Sequence, residues 1–165
     1  MAASRPKRPS GKLATLVLAL LAVGFASSVY LTNLYIEATE ALKGGTKLDS
    51  FCNLSQGVNC ETVAASEYSA FLGIPISVWG LEYFGLAIAI VLASHYRLLS
   101  LKRWDSLLFA LSCTGVPVTI VLGYISVTII QSVCIMCVTV YVVNTAMVLL
   151  LAGLNRSRLK EFVRE

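Results

Sequence analysis

Four long apolar blocks, separated by shorter polar segments, organise the chain. Leu13–Ile36 is a run of 24 residues without a charge, and Ile74–Ser94 is apolar apart from Glu82. Leu107–Ile130 and Val133–Leu154 are likewise uncharged. At about 1.5 Å of rise per residue, each block as a helix crosses a hydrocarbon core of about 30 Å. The pattern predicts an all-α integral membrane protein, a four-helix bundle spanning 13–154 between polar tails at 1–12 and 155–165. Pro117 should kink the third helix, a break that lipid-embedded helices tolerate. Between the first two blocks, Glu61–Phe71 reads as a short interfacial helix. Ala64, Tyr68 and Phe71 form its apolar stripe and Thr62, Ser66 and Ser69 are polar. It leads into Gly73-Ile74-Pro75 and is placed to cap the outer end of the bundle.

Composition agrees with lipid as the solvent. The chain is 57% hydrophobic and 13% charged, about half the charge of an ordinary soluble domain, which is roughly 25%. Its mean hydropathy is +0.78. The net charge of +4 does not indicate nucleic acid, because the basic residues are sorted by loop. Arg5, Lys7, Arg8 and Lys12 precede the first block. Arg97, Lys102 and Arg103 lie between the second and third, and Arg156, Arg158, Lys160 and Arg164 follow the fourth. With four alternating spans these eleven of the thirteen basic residues share one face, leaving Lys43 and Lys47 on the other. The positive-inside rule puts both termini in the cytoplasm. The connection 37–73 and the tight link Gln131–Ser132 then lie outside. Tyr30, Tyr35, Trp79 and Tyr83 fall near the outer interface, Tyr96 and Trp104 near the inner one. Read instead as a signal peptide, the first block has a basic start but an apolar run long for that role.

Five cysteines and one histidine point to thiol chemistry. Cys52 and Cys60 lie in the outer connection, and Cys134-Ile135-Met136-Cys137 opens the fourth span. The direction was set by Lys and Arg alone, yet all four cysteines fall on the outer face, where disulfides form and persist. At a helix N-terminus the unpaired N–H groups favour thiolate, the attacking species in disulfide exchange. Two plainer readings remain open: disulfides that only brace the loop, and a four-cysteine zinc site. Cys113, in mid-span, reads as a small buried hydrophobe, and His95 lies at the opposite membrane face. Glu82 is an intramembrane carboxylate, either functional or reaching to the headgroups.

Cys134, Cys137, Tyr141 and Asn144 are spaced three, four and three, one stripe down the fourth helix. Thiols, a phenol and an amide facing the bundle suit a flat ring carrying two carbonyl acceptors, as in a quinone. The alternative is that Tyr141 and Asn144 bond to neighbouring helices.

The chain resembles the vitamin K epoxide reductase family in its bacterial form. The resemblance spans about Val17 to Leu154. It rests on Cys52-x7-Cys60 with Val58-Asn59-Cys60, then Ser66, Phe71-Leu72-Gly73-Ile74-Pro75, Cys134-Ile135-Met136-Cys137 and Tyr141. It implies a four-helix bundle around a quinone, either ubiquinone or menaquinone/vitamin K. Carried over, Cys52 would face a redox partner, Cys60 would exchange with Cys134, and Cys137 would face the quinone. Tyr141 and Ser66 would lie at the pocket, and Asn144 also fits the family pattern. No fused thioredoxin-like domain follows the last span, so a separate thioredoxin-fold protein similar to DsbA is the expected partner. The expected function is quinone-linked reoxidation of that partner at a bacterial inner membrane, supporting disulfide formation in exported proteins. The rivals are vitamin K epoxide reduction in an endoplasmic-reticulum cycle and a non-enzymatic scaffold holding structural disulfides or zinc.

Overall fold

The computed structural model describes residues 11–45, 50–55, 57–96 and 104–164, with side chains within those ranges from 12 to 154 and at Arg156. Arg5, Lys7, Arg8, Lys47, Arg97, Lys102 and Arg103, on which much of the charge reading rests, lie outside the described residues, as do the side chains of Arg158, Lys160 and Arg164.

Among the described residues, four helices are long and apolar enough to cross a membrane, as expected from the uncharged runs. The first, α1 (Gly11–Gly44), has 34 residues. Ala14, Val17, Leu21, Ser28, Leu34 and Ala38 are buried along it. Their steps of three, four, or sums of these keep one face inward. That face packs on α3 (Ile76–His95) and α5 (Ile135–Arg164), while α4 (Trp104–Ile125) packs chiefly on α5. Small residues let the helices close up. A Cβ at Gly80 of α3 would stand 2.8 Å from the Ser28 hydroxyl oxygen of α1.

Two apolar clusters fill the bundle. The larger, toward the end carrying the termini, gathers Leu21, Phe84, Val91, Leu108, Met147 and Leu151. Trp104 belongs to it at 3% exposure, so this indole, at the start of its span, packs inward on the core. The smaller cluster, at the opposite end, consists of Leu34, Ala38, Ala64, Cys52, Cys60 and Cys134.

The structure changes several expected boundaries. α1 continues eight residues past Ile36 to Gly44. Glu37 and Glu40 end the apolar run but are good helix formers, as are Ala38, Ala41 and Leu42 between and after them. The segment 61–71 is not one helix. α2 (Cys60–Ala64) lasts five residues, Glu67–Ser69 forms a 3₁₀ turn, and Ala70–Phe71 pairs antiparallel with Ile74–Pro75. Serine hydroxyls divert the chain there: Ser66 Oγ donates to Val63 O (2.7 Å) and Ser69 Oγ to Ser66 O (2.6 Å). Such local bonds compete with helix continuation. α3 accordingly starts at Ile76 rather than Ile74. Pro117 lies inside α4, which ends in a π-helical turn, Ser126–Ile130. Gln131 then takes a left-handed conformation (φ 55°) to reverse the chain. Cys113 is exposed on α4, contrary to the buried place expected for it. α4 has only two close neighbours, so most of its sides are open to lipid. Glu82 is also exposed.

Candidate redox site and cavity

The site begins with a backbone clasp. Asn53–Ser55 (β1) pairs antiparallel with Val58–Asn59 (β2), and Val58 forms a parallel bridge with Val133. Asn59 N donates to Val133 O (3.1 Å) and Val133 N to Gly57 O (2.9 Å). Ser132 Oγ donates to Asn59 O (3.3 Å). Cys60 follows Asn59 and Cys134 follows Val133, so the clasp brings the two cysteines to one point. Asn59 also caps α2, its Oδ1 accepting from Thr62 N (3.0 Å), which fixes the direction in which Cys60 leaves the strand.

Cys52 and Cys60 are joined as a disulfide, with Cα atoms 5.6 Å apart. Cys134 and Cys137 are free thiols. The sulfurs of Cys52, Cys60 and Cys134 all lie within 4.8 Å of one another. A thiol at that range from a disulfide needs only a small shift to attack it. Cys137 N donates to Cys134 Sγ (3.3 Å). Cys134 sits one residue before the span Ile135–Leu154. Its thiol is held below the usual cysteine range, first by a hydrogen bond from the Cys137 thiol and then by the N–H groups of Cys137 and Met136. Burial opposes them without cancelling them. The Cys134 thiol therefore ionises more readily than an ordinary cysteine.

All three clustered cysteines are at most 1% exposed, so the disulfide offers a soluble protein no surface in this conformation. The segment around Cys52 is held by contacts to α1 and α2 and by the pairing of Asn53 with Asn59. Ser50 N donates to Glu61 Oε1 (2.7 Å), and the Phe51 ring lies 5.0 Å from that of Tyr30. Phe51 and Leu54, flanking Cys52, are 66% and 69% exposed.

Inward of the cysteines lies a cavity of about 280 Å³. Cys60, Cys134, Cys137, Tyr141, Asn144 and Ser66 line it, while Cys52 does not. Six of the seven residues singled out from the sequence therefore line one cavity, and the seventh is bonded to one of them. The remaining lining is mostly apolar, with Leu122, Ile130 and Val140 among it.

Sequence reasoning missed three residues here. Tyr83, expected at the outer interface, turns inward and donates its hydroxyl to Asn144 Oδ1 (2.6 Å). Ser77 lines the cavity with a buried hydroxyl that has no partner, and Asn144 Nδ2 is likewise buried and unpartnered. Gly115 on α4 leaves room for the amide, since a Cβ there would lie 2.9 Å from Asn144 Nδ2. The signal for α3 was present in its spacing. Ser77, Gly80 and Tyr83 recur every three residues, a small and polar stripe on an otherwise apolar helix.

A ring with carbonyl acceptors fits this chemistry, because buried donors without partners are costly and an acceptor would satisfy them. The cavity is close to the roughly 300 Å³ at which small-molecule pockets begin, enough for a ring head group. No curated protein matches the chain. The sequence model of the vitamin K epoxide reductase family matches residues 15–152, most of the chain and every residue of the site. With its four spans, its disulfide and its free thiol pair, this multi-pass membrane protein with redox function belongs to the vitamin K epoxide reductase family.

Proposed function

We propose that the chain oxidises the dithiol of a separate thioredoxin-fold protein similar to DsbA, with a quinone as electron acceptor. In this reading it lies in a bacterial cytoplasmic membrane, with its cysteines on the outer side and both termini in the cytoplasm. The observation that carries the proposal is the cluster of three sulfurs within 4.8 Å at the head of the cavity. It connects an outer disulfide to an inner thiol pair without a gap.

The relay balances in electrons at each exchange. Segment 50–53 swings away from Glu61 and Tyr30 and uncovers Cys52. A partner thiolate attacks Cys52 Sγ, forming a mixed disulfide and releasing Cys60 as thiolate. The partner's second thiol displaces Cys52, so the partner leaves oxidised and Cys52 and Cys60 remain as the reduced pair. Cys60 thiolate attacks Cys134 of an oxidised Cys134–Cys137 pair, forming Cys60–Cys134 and releasing Cys137. Cys52 then attacks Cys60, which restores Cys52–Cys60 and frees Cys134. The result is a reduced Cys134–Cys137 pair below a closed disulfide, the arrangement described here. When bound, a quinone supplies a two-electron, two-proton acceptor. Asn144, Ser77 and Tyr141 are the side chains to hold it, and the apolar wall excludes water from the thiols. Cys137, one turn deeper than Cys134, is the thiol nearer to it.

Bonded to each other, Cys52 and Cys60 have no thiolate to offer zinc, which disfavours the zinc-holding form of the scaffold. The test is purified chain mixed with a reduced DsbA-like protein and ubiquinone-1 or menadione, following quinone absorbance. Catalytic oxidation of the protein thiols, abolished by Cys137→Ala, is the expected result. Turnover of added vitamin K epoxide with dithiothreitol as reductant, without quinone-linked oxidation of the protein dithiol, would assign the alternative cycle. No turnover with either quinone would remove the acceptor.

A further inference from the structure

Resting on the proposed function, a further role falls to Tyr83. We infer that Tyr83 is the positioning residue that fixes the Asn144 amide with its N–H side toward the cavity, making Asn144 a carbonyl-directed donor in the electron-acceptor site.

Three features of the surroundings bear on the amide, one of them bonded to it directly. An asparagine amide has a carbonyl and an amino end of nearly equal size, and nothing intrinsic decides which faces a ligand. Here the Tyr83 hydroxyl, reaching across from α3, donates to Asn144 Oδ1 at 2.6 Å. Ser112 of α4, itself 2% exposed, hydrogen-bonds the same phenol. Ser112, Tyr83 and Asn144 thus form one chain across three helices, and each bond in such a chain polarises the next. Gly115 supplies the third constraint. The amide atoms lie 2.9–3.1 Å from where a Cβ would stand there, so the amide packs closely against the α4 backbone on that side. With Oδ1 committed to Tyr83, the nitrogen is what remains for the cavity, and it is left without a partner. Asn144 is 2% exposed, so water does not satisfy that nitrogen from the surface.

The class of ligand follows from the sign of the group. A fixed N–H donor, with the unpartnered Ser77 hydroxyl in the same cavity, selects a neutral ring bearing carbonyl oxygens. It disfavours a cation or a ring presenting only donors. Without the phenol, Asn144 is free to turn its oxygen inward, where it would repel a carbonyl.

The experiment uses the full chain in detergent and reads binding separately from turnover. Trp79 lines the cavity, so ubiquinone-1 should quench tryptophan fluorescence on binding. Titrations compare the unaltered chain with Tyr83→Phe, Asn144→Ala and the double variant. Tyr83→Phe keeps the ring and its packing against Phe84, 4.8 Å away, so it is expected to fold. Each single change should weaken binding by about 3- to 10-fold, the range for one lost hydrogen bond. The double variant should be no weaker than the weaker single, because both changes remove the same donor. A purely structural tyrosine would instead give losses that multiply. Multiplied losses, or Tyr83→Phe binding as tightly as the unaltered chain, would overturn the inference while leaving the acceptor reading in place. No quenching by ubiquinone-1 or menadione in the unaltered chain would sink both.

Discussion

At the scale of single residues, the site depends on a thiol of lowered pKa at Cys134 and on room left by missing side chains. The Cys134 thiol is lowered chiefly by the hydrogen bond from the Cys137 thiol. An acid with a lowered pKa ionises at lower pH, so reduced Cys134 should react with iodoacetamide at a pH below that of an ordinary cysteine, about 8.5. Cys137→Ala removes the first of the three stabilising bonds and should move the inflection upward. An inflection that stays in place would mean the backbone N–H groups alone hold the thiolate. Gly115 makes a different contribution. In Gly115→Ala the new methyl would overlap an amide that Tyr83 holds in position. Overpacking of this kind costs about 1–3 kcal/mol. The expected outcome is a lower melting temperature in detergent together with a raised KM for ubiquinone-1. Unchanged values for both would show that the amide has room to yield. The cysteines and the stripe through Tyr141 and Asn144 were legible in the sequence, because helical spacing carries them. Tyr83 was not, because an aromatic near a span end reads equally as an interfacial anchor until the opposing helix is in place.

At the scale of elements, the long helices were readable and the short connections were not, for the same physical reason. A run of more than twenty uncharged residues has one stable answer in lipid. Strands of two or three residues have no period to detect, and their identity comes from partners distant in sequence. The clasp between 57–59 and 132–133 is of this kind, and it sets the register of Cys60 against Cys134. The α2 cap is the one local part of it. Asn59→Ala removes the acceptor for Thr62 N, typically at a cost of about 1 kcal/mol. The clasp's own bonds to Asn59 are backbone bonds and survive the change. The direction of Cys60 should therefore loosen without the site dissolving. In a Cys52→Ser, Cys137→Ser background the only site thiols are Cys60 and Cys134. Mild oxidation should trap them as a disulfide, and Asn59→Ala should lower the yield several-fold on a non-reducing gel. An unchanged yield would assign the register to the backbone clasp alone.

At the scale of the whole molecule, the fold places the clustered cysteines at one end of the bundle, and the function needs that end to be in an oxidising compartment. The direction comes from charge. In the sequence, eleven of thirteen basic residues lie in segments that four alternating spans would put opposite the cysteines, and retention of Lys and Arg in the cytoplasm is the determinant that orients multi-span proteins. Cys52 itself is a poor reporter, since it is 1% exposed and bonded to Cys60. Leu54 is 69% exposed and belongs to the same outer segment. Ser100 lies between the second and third spans, outside the described residues. In a chain with its five native cysteines replaced, Leu54→Cys should be labelled by a membrane-impermeant maleimide in intact cells. Ser100→Cys should be labelled only after permeabilisation. Labelling in the reverse sense would put the disulfide in the reducing cytoplasm, where the Cys52–Cys60 bond would not persist. Orientation and the relay would then fall together, because a cytoplasmic partner is kept reduced and its oxidation through Cys52 would be undone. Labelling in the expected sense ties the charge of the loops, which no site residue contributes to, to the chemistry of cysteines that played no part in assigning the direction.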